Sequence, residues 1–148
     1  MTDGYYRILV PTDFSSCAEE AWVAAQRLAK AFGSELVLAH VLAEAAAFSG
    51  APFARGLGED MFAEARRWAE HEIEAWAQRA RDAGLGARVQ LRAGNAAREI
   101  VNLATDERAD LIVIGTHGRG GLDRALLGSV ADRVIRQAPC HVLSVRGR

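Results

Sequence analysis

No lysine follows Lys30 in this 148-residue chain, and no glycine stands in the stretch Asp13-Phe14-Ser15-Ser16-Cys17 that follows the first apolar run. The first absence excludes a Walker A loop, whose lysine neutralises β- and γ-phosphates. The second excludes the dinucleotide fingerprint, which needs its glycines directly after the first strand. That stretch also lacks the glycine-serine sequence typical of ATP pyrophosphatases, and no GxSxG nucleophile elbow occurs anywhere. Cysteine is scarce as well: Cys17 and Cys140 are far apart, without metal-ligand spacing, and read as free thiols of a reducing compartment. Apolar runs break after a few residues, far short of the roughly 20 needed to cross a bilayer. The start Met1-Thr2-Asp3-Gly4 has no basic segment leading into an apolar one, so a cytoplasmic protein with no membrane role is expected. A formal net charge of -1 leaves no electrostatic footprint for nucleic acid.

What is present is an ordinary globular composition, 50% hydrophobic and 25% charged, in a chain long enough for one domain with a full core. Short β-rich runs alternate with helical stripes, the pattern of a parallel sheet with crossover helices. The first strand is predicted over 7–12. Ser16 and Glu19 then form a capping box, and Ala21, Trp22, Ala25, Leu28, Ala29 and Phe32 recur at helical spacing up to Gly33. A second strand at 35–42 leads into a loop over 43–58 that carries Gly50, Pro52, Gly56 and Gly58. A long helix follows over 59–83, its inner face made by Phe62, Ala65, Trp68 or Ala69, Ile73, Trp76 and Ala80. The alternating run 87–92 reads as a strand near a sheet edge. The third helix begins near Asn95 and carries Ile100, Val101, Leu103 and Ala104. The run 111–114 is the least polar strand and is expected at the sheet centre. A fourth helix over 129–137 and a last strand over 141–145 complete an α/β fold with an open five-stranded parallel sheet, order 3-2-1-4-5, and helices on both faces.

That strand order reverses between the first and fourth strands, which predicts one crevice at their C-terminal ends. It brings Thr12-Asp13-Phe14-Ser15 beside Gly115-Thr116-His117-Gly118, the start of a glycine-rich stretch that runs on through Arg119-Gly120-Gly121. Glycines let backbone N–H groups approach an anion, and a helix starting at Ser129 and Val130 adds dipolar attraction for phosphate. Asp13 can accept from ribose hydroxyls or hold a divalent metal beside phosphates, or cap the first helix. Arg119 and Arg124 can pair with phosphate or remain surface charges, Arg119 being the better placed. His117 is expected to be solvated, and His40 and His71 to be structural.

Gly115, two residues, Gly118, nine residues, then Gly128 and Ser129 form a spacing that resembles the ATP-binding motif of the universal stress protein family. The resemblance extends over nearly the whole of residues 1–148, read as a single domain. It includes Ile8-Leu9-Val10-Pro11-Thr12-Asp13, Ala39-His40-Val41, Ala109-Asp110-Leu111-Ile112-Val113-Ile114-Gly115, and Ala138-Pro139-Cys140-His141-Val142-Leu143. It implies a Rossmann-like fold of the adenine nucleotide alpha hydrolase type and a stress-response regulatory module that binds ATP, or AMP or ADP. Pro11, Thr12, Asp13 and Val41 would surround adenine and ribose, Val41 through its backbone, with Ile114 and Gly115 as floor. Gly118, Arg119, Gly128, Ser129 and Val130 would receive phosphates, and Asp13 would approach a phosphate-bound Mg2+ or Mn2+. The resemblance also implies a homodimer, and the apolar edge strand 141–145 is its expected seam. No residue set positions an attacking water, so no catalytic residue is assigned. A slow metal-dependent ATPase or phosphotransferase, and a nucleotide-free interaction protein, stand as alternative functions.

Overall fold

The computed structural model describes residues 3–43, 52–117 and 126–147, the side chains of 52–57 excepted. Its elements run β1 (Arg7–Pro11), α1 (Ser16–Phe32), β2 (Glu35–Leu42), α2 (Pro52–Asp82), β3 (Ala87–Ala93), α3 (Ala96–Asp106), β4 (Leu111–Gly115), α4 (Ser129–Gln137) and β5 (His141–Val145). The sheet order is β3-β2-β1-β4-β5 with every pair parallel. The expected topology is therefore the observed one, and β3 and β5 form its edges. β1 holds the centre, where β4 was expected; β4 is nonetheless buried over its first four residues because helices cover both of its faces.

Side-chain alternation along the strands divides the core in two. Ile8, Val10, Leu36 and Leu38 pack with α1 and α2 on one face, while Leu9, Val37, Ala39, Ile112 and Ile114 pack with α3 and α4 on the other. Trp22 of α1 fills the first layer, and its indole N–H donates to the Trp76 carbonyl at 3.3 Å. Among the described residues no helix is long and apolar enough to cross a membrane.

Four local expectations are corrected. Ser15, not Ser16, is the cap: it is extended, and its hydroxyl accepts from Ala18 N at 3.2 Å. Glu19 is thereby released from a capping box and pairs with Arg79 of α2 at 2.9 Å. α2 starts at Pro52 instead of 59, because proline at the first helical position costs no hydrogen bond and the helix runs on through Gly56 and Gly58. On α2, Ala65 is exposed where the inner face was expected, and of the alternatives Trp68 and Ala69 it is Ala69 that is buried.

At the opposite end of the sheet from the expected crevice, Glu35 sits between Arg7 at 2.9 Å and Arg88 at 2.5 Å, and Arg88 also reaches Glu107 at 2.8 Å. The hydrogen bond from Arg88, seconded by Arg7, holds the Glu35 carboxyl below its ordinary value of 4.5 against the opposing effect of burial. A carboxyl whose folded-state pKa is depressed adds stability that is complete above the unfolded value and is lost as pH falls through the folded one. Urea melts of Glu35→Gln should therefore show a flatter loss of stability below about pH 4.5 than the parent. Because the pair is partly exposed the difference should be small, and identical acid limbs would remove the claim.

Candidate functional site

Past the last residue of β1 the backbone makes a tight turn fixed by its own polar side chains. Thr12 is buried, and its N–H donates to the Ala39 carbonyl at 2.7 Å, continuing the sheet register by one residue. Its hydroxyl oxygen accepts from Phe14 N at 2.9 Å, and Asp13 Oδ1 accepts from Ser15 N at 3.0 Å. These bonds hold Phe14 at a φ of 62°, in the left-handed region that non-glycine residues rarely adopt. The turn leaves Asp13 at the lip of the space between β1 and β4.

Across that space α4 begins, among the described residues, without a side-chain cap. Its cap residue, Gly128, has an ordinary φ of -61°, so glycine is required there for room and not for conformation. Gly128 N donates to the Thr116 carbonyl at 2.7 Å, and a Cβ on Gly128 would stand 2.8 Å from that same oxygen. The N–H groups of the following first turn have no intrahelical acceptor and carry the positive end of the helix dipole. Gly115 answers a similar demand: a Cβ there would lie 3.0 Å from the Cys17 backbone, where the first turn of α1 crosses the end of β4.

Between these walls lies a cavity of about 420 Å³. Pro11, Thr12 and Asp13 line it from β1 and its turn, and Val41 from β2. Ile114 and Gly115 line it from β4, and Gly128, Ser129 and Val130 from the start of α4. Nine of the candidate residues are thus brought together at the strand-order reversal. Gly118 and Arg119 lie outside the described residues, as do Gly120, Gly121 and Arg124.

Lining residues that escaped the sequence reading include Ala96 and Ile100 of α3 and His40, while Thr116 and His117 line the crevice where the strand order put them. The α3 pair could have been found from the apolar face of that helix, which the crossover from β3 lays against β2 and α4. His117 corrects the expectation of a solvated ring. Its Nδ1 is 2.8 Å from the Thr116 hydroxyl, and its Nε2 is buried with no partner among the described residues. His40 places Nδ1 2.7 Å from the Thr12 carbonyl.

The donor set suits an anion on the α4 side and hydroxyl groups on the Asp13 side. No group of three or more metal-ligating side chains occurs among the described residues. A cation at Asp13 would therefore need oxygens brought by the ligand. Both cysteines are free thiols; burial, with Asp110 nearby, pushes the Cys140 thiol up, which suits an unreactive group.

Residues 4–146 match the model of the universal stress protein family. The chain belongs to that family. Universal stress protein MJ0531 of Methanocaldococcus jannaschii is 37% identical over 142 residues, spanning 96% of this chain and 82% of the relative. The solved structure of MJ0577 from the same organism superposes with a TM-score of 0.84 at 31% identity, covering 95% of both chains. A universal stress protein crystallised in complex with cAMP superposes with a TM-score of 0.71 at 25% identity, covering 99% of this chain and all of that one. Family membership and the Rossmann-like sheet order agree with the family and the fold expected from the sequence.

Proposed function

We propose that the crevice binds an adenine nucleotide, ATP foremost and AMP or ADP otherwise, and that this single-domain protein is a cytoplasmic stress-response regulatory module. The observation that carries the reading is the uncapped start of α4, pressed by Gly128 against the Thr116 carbonyl and facing Asp13 across the cavity. Main-chain amides with no intrahelical acceptor, concentrated at the positive end of a helix, bind phosphate. The cAMP complex of a 25% identical family member supports the adenine half of the assignment.

In this reading Pro11, Thr12, Asp13 and Val41 enclose the base and ribose over a floor of Ile114 and Gly115. Gly118, Arg119, Gly128, Ser129 and Val130 take the phosphates, and Asp13 faces a phosphate-bound Mg2+ or Mn2+. Such an ion would neutralise phosphate charge in place of the lysine that this chain lacks. The module acts by binding and not by turnover: ligand stabilises one conformation or a dimer by mass action. A second copy pairs along β5, the edge strand whose Leu143 is exposed.

Calorimetric titration with adenosine, AMP, ADP, ATP and cAMP tests the reading, with light scattering on the same samples. Affinity should rise from adenosine to ATP, and a hundredfold excess of ligand over Kd should add about 2.7 kcal/mol of stability. The scattering mass should be that of two chains. Absence of heat with every adenine ligand would overturn the nucleotide reading, and a monomeric mass with and without ATP would overturn the β5 pairing.

A further inference from the structure

We propose that His40 is a positioning residue, which fixes the direction of the Asp13 carboxylate by holding the turn on either side of it. The proposal rests on the adenine nucleotide reading of the crevice, and it assigns His40 to recognition of the ribose hydroxyls.

The bond between His40 Nδ1 and the Thr12 carbonyl, at 2.7 Å, has only one polarity. A backbone carbonyl accepts and never donates, so Nδ1 must carry the proton. The neutral ring is therefore held as the Nδ1–H tautomer. Thr12 is gripped twice by consecutive residues of β2, its N–H by the Ala39 carbonyl at 2.7 Å and its carbonyl by the His40 ring. The peptide plane that enters Asp13 is thus fixed at the oxygen next to it.

The same ring also meets the far side of the turn. Alternation along β2 turns His40 toward the α1 and α2 layer, with Leu36 and Leu38, and there its ring lies 4.8 Å from that of Phe14, tilted by 41°. Phe14 is further held by edge contacts to Trp68 at 5.1 Å and Trp76 at 5.6 Å. A left-handed phenylalanine is strained and persists only where its surroundings over-determine it. His40, Trp68 and Trp76 are those surroundings. Asp13 stands between two points that one imidazole touches, the Thr12 carbonyl and the Phe14 ring. Loss of the ring N–H frees the first, and loss of the ring plane loosens the second.

The test separates the ring N–H from mere bulk. In His40→Asn the side-chain amide N–H reaches about as far as Nδ1 does, whereas in His40→Gln it reaches the place of Nε2, and His40→Ala has neither. Affinities for ATP and 2′-deoxy-ATP are measured by calorimetry on each, with thermal melts to establish folding. Imidazole nitrogen shifts of the ligand-free parent are recorded by NMR near pH 8. The proton should be found on Nδ1. His40→Asn should keep ATP affinity within about threefold of the parent, while Gln and Ala lose about tenfold, the worth of one hydrogen bond to a charged acceptor. Their loss should fall on ATP and spare 2′-deoxy-ATP, so that the preference for ribose disappears.

An Asn variant as weak as Ala, or a loss shared equally by the two ligands, would overturn the positioning role. So would a proton on Nε2, a result that needs no ligand at all. If the parent binds neither nucleotide, the adenine reading falls and takes the ribose assignment with it, while the nitrogen shifts still decide whether His40 holds Thr12.

Discussion

Gly128→Ala should lower ATP affinity about a hundredfold or more while leaving a folded protein. The added Cβ would sit 2.8 Å from the Thr116 carbonyl oxygen, a separation that real Cβ atoms essentially never show. Thr116 cannot retreat easily: its side chain is buried, its N–H donates to the Val145 carbonyl at 2.9 Å, and its hydroxyl engages His117. The first turn of α4 must move instead, and the bond from Gly128 N to Thr116 O is lost with it. Amides aimed at phosphate are worth most when they converge, since hydrogen bonds to charged groups contribute about 1.5–3 kcal/mol each. Displacing two of them accounts for a hundredfold, about 2.7 kcal/mol. Stability should fall by about 1–3 kcal/mol, the ordinary cost of overpacking. Adenosine, which lacks phosphates, should bind the variant nearly as well as the parent. Gly86→Ala is the control, because nothing lies within 4 Å of a Cβ there. Unchanged ATP affinity in Gly128→Ala, measured by calorimetry, would show that this close approach does not build the site.

The same residue shows how far the chain's pattern carries. Gly128 stood out from its spacing with Gly115 and Gly118, and its place at the mouth of the crevice followed from strand order. Its physical requirement, contact with a carbonyl twelve residues earlier, could not be read, because periodicity reports which face a residue occupies and not what approaches it. The strands were legible because both faces of the sheet are covered, so β1, β2 and β4 carry the apolar runs 8–11, 36–39 and 111–114. β2, α4 and β5 were legible to the residue, each bounded by glycine, serine or proline. The start of α2 was not, because Gly56 and Gly58 have the chemistry of a loop and only the continuing helix overrides it. The two histidines of the crevice were set aside for a related reason. An imidazole is neutral evidence until its partners are known, and those of His40 and His117 are carbonyl and hydroxyl oxygens that no spacing rule predicts. Ser15 took the cap from Ser16 because the Thr12 and Asp13 side chains close the turn one residue early.

Trp22→Ala should cost about 3–5 kcal/mol, the range for emptying an aromatic site in a closed core. Trp22 is 1% exposed and is the largest of the fully buried side chains. It packs in the layer that joins Ile8, Val10, Leu36 and Leu38 to α1 and α2. Its removal also ends the donation to the Trp76 carbonyl. Against a total stability of about 5–15 kcal/mol for domains in general, that is a large fraction, and the urea midpoint should move accordingly. Trp22→Phe separates the two contributions, since it keeps most of the ring and loses the N–H; it should cost about 1–2 kcal/mol. Trp68→Ala, at a site 47% exposed, should cost less than either core truncation. The crevice gives the comparison its meaning. The proposed phosphate side of the site stands on α4, which packs in the opposite layer through Ala131 and Val134. Trp22→Ala should therefore weaken the fold while the ratio of ATP to adenosine affinity stays within about twofold of the parent. Gly128→Ala should do the reverse, collapsing that ratio at a smaller cost in stability. A core variant that erased phosphate discrimination as thoroughly as the glycine variant would mean that the cradle is held by the whole fold and not by the contact between Gly128 and Thr116.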